Sequence, residues 1–102
     1  LEQKKYLDPY ISLESLSEEL NMSSGHLSSL INKYGNRHFS DYINDFRVEQ
    51  VKRIIKDEEY AHYTIVAIGL ESGFNSKSTF YAAFKKFTNL SPTQFKKQFA
   101  AN

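Results

Sequence analysis

The sequence contains no cysteine and no apolar run as long as a membrane span. The absence of cysteine excludes disulfides and thiolate zinc sites, and it is compatible with a reducing cytosol. No stretch approaches the roughly 20 apolar residues of a transmembrane helix, and no basic start followed by an apolar segment indicates a signal peptide. We therefore expect a soluble, cytoplasmic protein with no membrane partner.

The sequence also lacks the clustered groups that catalysis or metal binding requires. The histidines, His26, His38 and His62, fall in different segments without metal-ligand spacing, and no glycine-rich phosphate loop or nucleophile elbow occurs. The acidic pairs and runs at Glu18–Glu19 and Asp57–Glu59 are typical of solvated helix surface. These absences predict that the protein is not an enzyme and binds neither a metal nor a cofactor.

A large net charge is missing as well, since the 102 residues carry a net charge of only +1. This average conceals a division along the chain. Residues 1–59 contain 8 Lys/Arg and 11 Asp/Glu, whereas residues 60–102 contain 5 Lys/Arg and 1 Asp/Glu. Positive charge is therefore concentrated in the C-terminal part, where a nucleic-acid partner would be attracted.

Helical periodicity is present along nearly the whole chain, and it predicts an all-α fold. Caps and apolar faces indicate a first helix pair over about 12–35, a long helix over about 39–57, and a second pair over about 64–88. A C-terminal helix is predicted over about 92–99. The opening residues from Leu1 read as a helix already under way, so we expect a longer parent protein whose other part could hold a sensor.

The helix starts are indicated by their capping residues. Ser12 is a suitable cap for the first helix, and a later start would instead use Ser15 in a capping box. Either Asn75 or Ser76 caps the second helix of the second pair. The strongest start signal is Ser91-Pro92-Thr93-Gln94, in which serine caps, proline takes the first helical position, and glutamine completes a capping box.

The two helix pairs repeat one plan, so that residues 13–34 parallel residues 65–87. A short helix, a tight turn and a second helix form a helix-turn-helix, whose second helix enters the major groove of DNA. Spacing alone also fits an ordinary helical bundle. The alternative is a helical protein-interaction module, in which the aromatic residues, 15% of the chain, would face a partner.

Residue identity extends this interpretation. The run Gly73-Phe74-Asn75-Ser76-Lys77-Ser78-Thr79-Phe80, then Phe84-Lys85-Lys86 and Ser91-Pro92, resembles the AraC family of bacterial transcription regulators in sequence and spacing. The first half resembles the same family at Ser12-Leu13-Glu14-Ser15-Leu16, Met22-Ser23, His26-Leu27, Tyr42-Ile43 and Arg47. The resemblance implies about seven helices, forming two helix-turn-helix subdomains joined by a long central helix.

The resemblance also implies a function and its partners. It implies sequence-specific binding of double-stranded DNA, with two recognition helices in successive major grooves of a site whose two boxes lie about one helical turn apart. The family most often activates transcription, so RNA polymerase is a second expected partner. We expect the isolated domain to be monomeric, with any dimerisation of the parent through a region outside this chain.

The sequence departs from the family pattern at four positions. Ser17, Val51 and Gly69 stand where the family usually has alanine, and Asn36 stands where a glycine usually follows the first recognition helix. Gly69 lies within a predicted helix and should cost up to about 1 kcal/mol relative to alanine, unless close helix packing requires the missing methyl group.

The second recognition helix is predicted to bury Phe80, Phe84 and Phe87 and to present its opposite face to DNA. Periodicity places Lys77, Ser78, Tyr81, Ala82 and Lys85 on that face. The resemblance assigns base reading to Lys77, Ser78, Thr79, Tyr81 and Ala82. Lys77 is the leading candidate because its ammonium can donate to guanine acceptors. Buried phenylalanines with exposed Lys77 and Tyr81 would favour DNA reading, whereas an open phenylalanine patch would favour a protein partner.

The first recognition helix presents a small, uncharged face. Burial of Leu27, Leu30 and Ile31 leaves Ser24, Gly25, Ser28, Ser29 and Asn32 outward, with His26 beside them. Either this unit reads a shallow pattern, partly through water, or it mainly positions the protein through backbone amides and phosphate contacts. Both alternatives predict that the two units contribute unequally.

Phosphate contacts are predicted at basic residues near the recognition helices, namely Lys33, Arg37, Lys85, Lys86 and Lys96. Arg47 lies instead among apolar positions of the central helix. A buried ion pair with Asp45 or Glu14 therefore competes with a DNA role, and we favour the structural interpretation.

Overall fold

A computed structural model of the protein describes residues 4–35 and 38–99, of which 34 and 35 are described in backbone only. This part of the chain is helical and contains no strand, which confirms the all-α class. The α-helices are α1 (Leu13–Glu19), α2 (Ser24–Gly35), α3 (Phe39–Ile55), α4 (Ile65–Glu71), α5 (Lys77–Thr88) and α6 (Pro92–Phe99). Single 3-10 turns occupy Lys5–Leu7 and Glu58–Tyr60, so the helix expected at the N-terminus is a 3-10 turn in its described part.

The central helix α3 joins two helix pairs in an elongated molecule of 45 × 24 × 22 Å. The pair α1–α2 packs on the start of α3 through Phe39 and Tyr42. The pair α4–α5 packs on the other half of α3, around Val48 and Val51. We call α1–α2 with its turn the first unit and α4–α5 with its turn the second unit.

Side-chain caps fix where the helices begin. The Ser12 hydroxyl accepts from the Ser15 amide at 3.0 Å and Ser15 returns the bond, so the earlier of the two predicted starts is the one formed. Ser76, rather than the preceding asparagine, caps α5. The capping box predicted for α6 is confirmed, since Ser91 and Gln94 bond each other's backbone amides at 3.1 and 2.9 Å.

In both units, the first helix is followed by a residue with a positive φ. Asn21, with φ 56°, follows α1 at the position that Gly73, with φ 105°, occupies after α4. Both conformations lie in the left-handed region, where asparagine and glycine are tolerated best. Asn89 ends α5 in the same way, with φ 62°. The repeat seen in the sequence thus extends to the end of each unit's first helix, whereas the connection to the next helix is one residue longer in the second unit.

The larger core lies where the second unit packs against α3 and α6. Its aromatic rings pack in series, with centroids 5.2 Å apart from Phe74 to Phe80, 6.1 Å from Phe80 to Phe84, and 5.4 Å from Phe84 to Phe95. Edge-to-face and tilted contacts of this kind add to the stabilisation from buried apolar area. The core also contains Val48, Val51, Ile54, Ile55, Ile68 and Ala83.

The first unit has a smaller, aliphatic core. Leu16, Leu27 and Ile31 are buried, and partly buried side chains of α1, α3 and the preceding loop surround them. Because stabilisation scales with buried apolar area, this core holds its helices less strongly than the aromatic core holds α4 and α5.

Gly69 shows why one departure from the family pattern is tolerated. A Cβ added to this residue would lie 2.3 Å from Cδ2 of Phe80, whose ring is 1% exposed. The ring therefore rests directly against the backbone of α4. This close packing is possible only because residue 69 has no side-chain methyl group. The contact with the Phe80 ring offsets the lower helix propensity of glycine.

Arg47 is buried, as the structural interpretation predicted, but its expected carboxylate partners are wrong. Its guanidinium donates from Nε to the Tyr6 carbonyl at 2.8 Å and from Nη2 to the Asp8 carbonyl at 2.9 Å. Nη1 donates to Oδ1 of Asn44 at 3.1 Å. Burial lowers the pKa of Arg47, and the Asp8 carboxylate opposes that effect. Backbone carbonyls are the acceptors because Lys5–Asp8 lies over this part of α3.

Candidate nucleic-acid interface

The start of α5 is ordered by its own cap. The Ser76 hydroxyl accepts from the Thr79 amide at 3.2 Å and lies 3.0 Å from the Thr79 hydroxyl. Helix starts favour anions, because the first amides have no partner within the helix. The cap therefore fixes where α5 begins and satisfies one of its first amides.

The inner face of α5 is formed by the predicted phenylalanines, but one of them is less buried than predicted. Phe80 and Phe84 are 1% and 0% exposed, whereas Phe87 is half-buried, at the edge of the core. The phenylalanines thus do not form the open patch that would favour a protein partner. The side chains of Lys77, Ser78, Thr79, Ala82, Lys85 and Lys86 are exposed.

Lys77 and Tyr81 contact each other on this outer face. Nζ of Lys77 lies 5.4 Å from the centroid of the Tyr81 ring, within the range of a cation–π interaction. Tyr81 is half-buried, less exposed than predicted, because its ring packs edge-on against Phe80 at 5.4 Å. The buried core is thus connected through the tyrosine ring to the exposed ammonium.

The two lysines at the end of α5 differ in their surroundings. Lys85 is exposed, and the described part of the chain offers it no ion pair. Lys86 forms an ion pair with Asp41 of α3, with Nζ and Oδ1 2.8 Å apart. Sequence reasoning missed this pair, because the partners lie 45 residues apart and no local pattern connects them.

The first recognition helix, α2, is capped in the same way, since Ser23 Oγ accepts from the His26 amide at 3.1 Å. Leu27 and Ile31 are buried and Leu30 is half-buried. A Cβ added to Gly25 would meet no atom within 4 Å, so the surface there is open. Gly25, His26, Ser29 and Asn32 are exposed, whereas Ser24 and Ser28 are half-buried.

The other predicted phosphate contacts are scattered. Lys33 is exposed near the end of α2, where it has an interaction partner. Lys96 is half-buried on α6. Arg37 lies outside the described residues. Among the described residues, no three His, Asp or Glu side chains come together as metal ligands. No helix in the described ranges is long and apolar enough to cross a membrane.

Comparisons with a family model and with known sequences point to the same family. The family described as "Helix-turn-helix domain" matches residues 16–98. An uncharacterised HTH-type transcriptional regulator of Staphylococcus aureus is 35% identical over 86 residues, which cover 84% of this chain and 11% of that protein. The melibiose operon regulatory protein of Escherichia coli is 24% identical over 90 residues, which cover 88% of this chain and 29% of that protein.

Solved structures show the same architecture. The C-terminal domain of AraT, a response regulator from Geobacillus stearothermophilus, has a TM-score of 0.84 at 26% identity, covering 98% of this chain and 80% of that one. The C-terminal domain of the two-component response regulator yesN from Fusobacterium nucleatum has a TM-score of 0.78 at 30% identity, covering 92% and 88% of the two chains.

Proposed function

Because this chain belongs to the AraC-type helix-turn-helix family, we propose that it reads double-stranded DNA by sequence, as the DNA-binding part of a bacterial transcription regulator. The observation that carries this proposal is the outer face of α5. Its phenylalanines are buried or at the edge of the core, and Lys77 is exposed and held against the Tyr81 ring. An anchored helix with an exposed polar face is what entry into a major groove requires.

The two recognition helices, α2 and α5, enter successive major grooves on one face of the duplex. In α5, Lys77 donates to guanine acceptors, Ser78 bonds either type of base edge, and Tyr81 offers its hydroxyl or packs against a thymine methyl group. The proposed base-contacting residues are Lys77, Ser78, Thr79, Tyr81 and Ala82 on α5, and Ser24, Gly25, Ser28 and Ser29 on α2.

The two units contribute unequally to recognition. The outer face of α2 carries serine and glycine where α5 carries lysine and tyrosine, and two of its four proposed readers are half-buried. Short side chains reach few base edges directly, so water-mediated and backbone contacts dominate there. The proposed phosphate contacts, at Lys33, Arg37, Lys85, Lys86 and Lys96, position the protein without specifying sequence.

The function of the whole protein is a further part of the proposal. The chain covers about a tenth to a third of the length of the curated relatives it matches. We propose that the parent protein acts in the bacterial cytoplasm, activates transcription and contacts RNA polymerase. The isolated domain is a monomer, and the parent dimerises through a region outside this chain. The role is binding rather than catalysis.

The experiment that tests this function is selection of duplexes from a random pool by the purified domain, followed by affinity measurements at two salt concentrations. We expect two conserved boxes about one helical turn apart, and binding that weakens steeply as salt rises. Failure to enrich any duplex, together with no binding at low salt, would contradict DNA reading and favour a protein partner.

A further inference from the structure

The segment Lys5–Asp8, which precedes the first unit in sequence, is docked firmly on α3. Tyr6 is 3% exposed, and its ring stacks on Phe46 with centroids 5.5 Å apart. The Tyr6 hydroxyl lies 3.3 Å from Nη2 of Arg53 and 3.5 Å from the Gln50 side chain. A buried aromatic side chain with a satisfied hydroxyl anchors the segment at a defined place.

Arg47 makes this docking a requirement of the fold. Arg47 is only 8% exposed. Its guanidinium donates from Nε to the Tyr6 carbonyl and from Nη2 to the Asp8 carbonyl. If the segment moved away, two donors of a buried cation would lose their acceptors, which costs far more than forming such bonds stabilises. Arg47 and the segment are therefore coupled.

The same guanidinium contacts the turn of the second unit. A Cβ added to Gly73 would lie 2.2 Å from the Tyr6 carbonyl oxygen and 2.9 Å from Nε of Arg47, so only glycine fits between them. The guanidinium carbon lies 5.8 Å from the centroid of Phe74, the next residue in the turn. Phe74 in turn packs on Phe80, the residue that anchors α5.

Among the residues that the structure describes, the turn of the first unit makes no hydrogen bond to Arg47 or to this segment. Asn21, which corresponds to Gly73 in the repeat, is exposed, and its amide bonds the Glu18 carbonyl within its own unit. Within the described residues, a single ion pair joins the segment to the first unit, from Lys5 to Glu19 at the surface of α1. An exposed ion pair of this kind contributes little to stability.

We propose that the segment Lys5–Asp8 positions the second recognition helix, and that Arg47 is the positioning residue through which it acts. The contacts run from Tyr6 and Asp8 through Arg47 to Gly73 and Phe74, and from there to Phe80 and α5. A segment that lies next to the first unit thus sets the geometry of the second. This rests on the proposed function only in so far as α5 reads DNA, because the positioning itself concerns the free protein.

The first test measures amide hydrogen exchange in the absence of DNA and compares the Tyr6→Leu variant with the unsubstituted protein. Loss of the ring contacts loosens the segment but keeps its backbone carbonyls and an apolar side chain. We expect exchange at the amides of Gly73 and Phe74 to become about tenfold faster, with less than about twofold change at Asn21. Lys5→Gln is the matched control, because it breaks only the surface pair to Glu19 and should leave the Gly73 amide unchanged.

The second test uses Arg47→Met, which removes the donors but keeps an unbranched side chain. On selected duplexes, at a temperature where the variant is folded, discrimination against a scrambled second-unit box should fall about tenfold, with little change at the other box. If Arg47→Met does not fold, the exchange test with Tyr6→Leu decides alone. Equal acceleration at both turns in that test, or none, would overturn the positioning role whether or not the domain binds DNA.

Discussion

The two helix-turn-helix units share a backbone plan but differ in what fills it. The first recognition helix packs Leu27 at the position where the second packs Phe80, and the turn residue Asn21 is exposed where Gly73 is buried. The outer faces differ in the same direction, because the proposed base-reading face carries Lys77 and Tyr81 on α5 but only serine and glycine on α2. A repeated fold therefore does not imply a repeated function. Side chains on a unit with a larger packed core are better positioned for direct base reading.

The largest expected effect is on stability, when one buried side chain is removed from each of the two cores. Phe80→Ala should lower the free energy of unfolding by about 4 kcal/mol or more, because it removes a ring that packs on Phe74, Tyr81 and Phe84. Leu27→Ala should cost about 2 to 3 kcal/mol, because its core is smaller. Urea denaturation of both variants measures the difference. An equal or larger loss for Leu27→Ala would show that the second core is not the dominant one.

The next effect sharpens the comparison at the DNA surface. Lys77→Ala should cost about 1 to 3 kcal/mol on the best duplex and relax preference at one base position. The matching substitution in the first unit, Ser24→Ala, should cost less than about 1 kcal/mol, because a half-buried hydroxyl makes at most one weak contact. Affinities for the best duplex and its single-base variants provide the test. Uniform losses across all sequences would remove Lys77 from the base readers.

A smaller effect on stability is expected at the position that is glycine in α4 and serine in α1. Gly69→Ala should destabilise the protein by about 1 to 2 kcal/mol, because displacement of the Phe80 ring outweighs the gain in helix propensity. The corresponding change in α1, Ser17→Ala, should be nearly neutral, since it loses only a bond to the Glu14 carbonyl of its own helix. Thermal unfolding compares them. Stabilisation by Gly69→Ala would contradict the close contact.

The smallest effect concerns the two neighbouring lysines. Lys85→Ala should weaken binding to all sequences by about 1 kcal/mol or less and reduce the salt slope by about 1. Lys86→Ala should weaken it less, because Lys86 must leave Asp41 before it can contact a phosphate. Lys52→Ala is the control, since Lys52 pairs with Glu49 on α3. A larger effect for Lys86 than for Lys85 would contradict a competing ion pair.

Local signals predicted most of the fold. Caps at Ser12, Ser76 and Ser91 and the helical spacing of apolar residues are read within a few positions of one another, so the helices could be predicted from the sequence. The family resemblance supplied how they assemble. The half-buried state of Tyr81 and Phe87 was missed, because periodicity gives a face and not how deeply a ring at its edge is packed.

Long-range contacts could not be predicted in the same way. The acceptors of Arg47 are backbone carbonyls of Tyr6 and Asp8, about 40 residues away, and a carbonyl leaves no trace in residue identity. The ion pair between Lys86 and Asp41 has the same cause. Only Gly69 offered a signal, because a glycine within a helix suggests that another group approaches closely.

The central claim, that two unequal units read DNA, is tested most directly by scrambling each box of the selected duplex in turn. The box that loses its sequence preference in Lys77→Ala is assigned to the second unit. We predict that scrambling this box lowers the affinity at least about tenfold more than scrambling the other, as expected from a few kcal/mol of direct base contacts. Equal losses, or a greater loss at the first-unit box, would contradict the account.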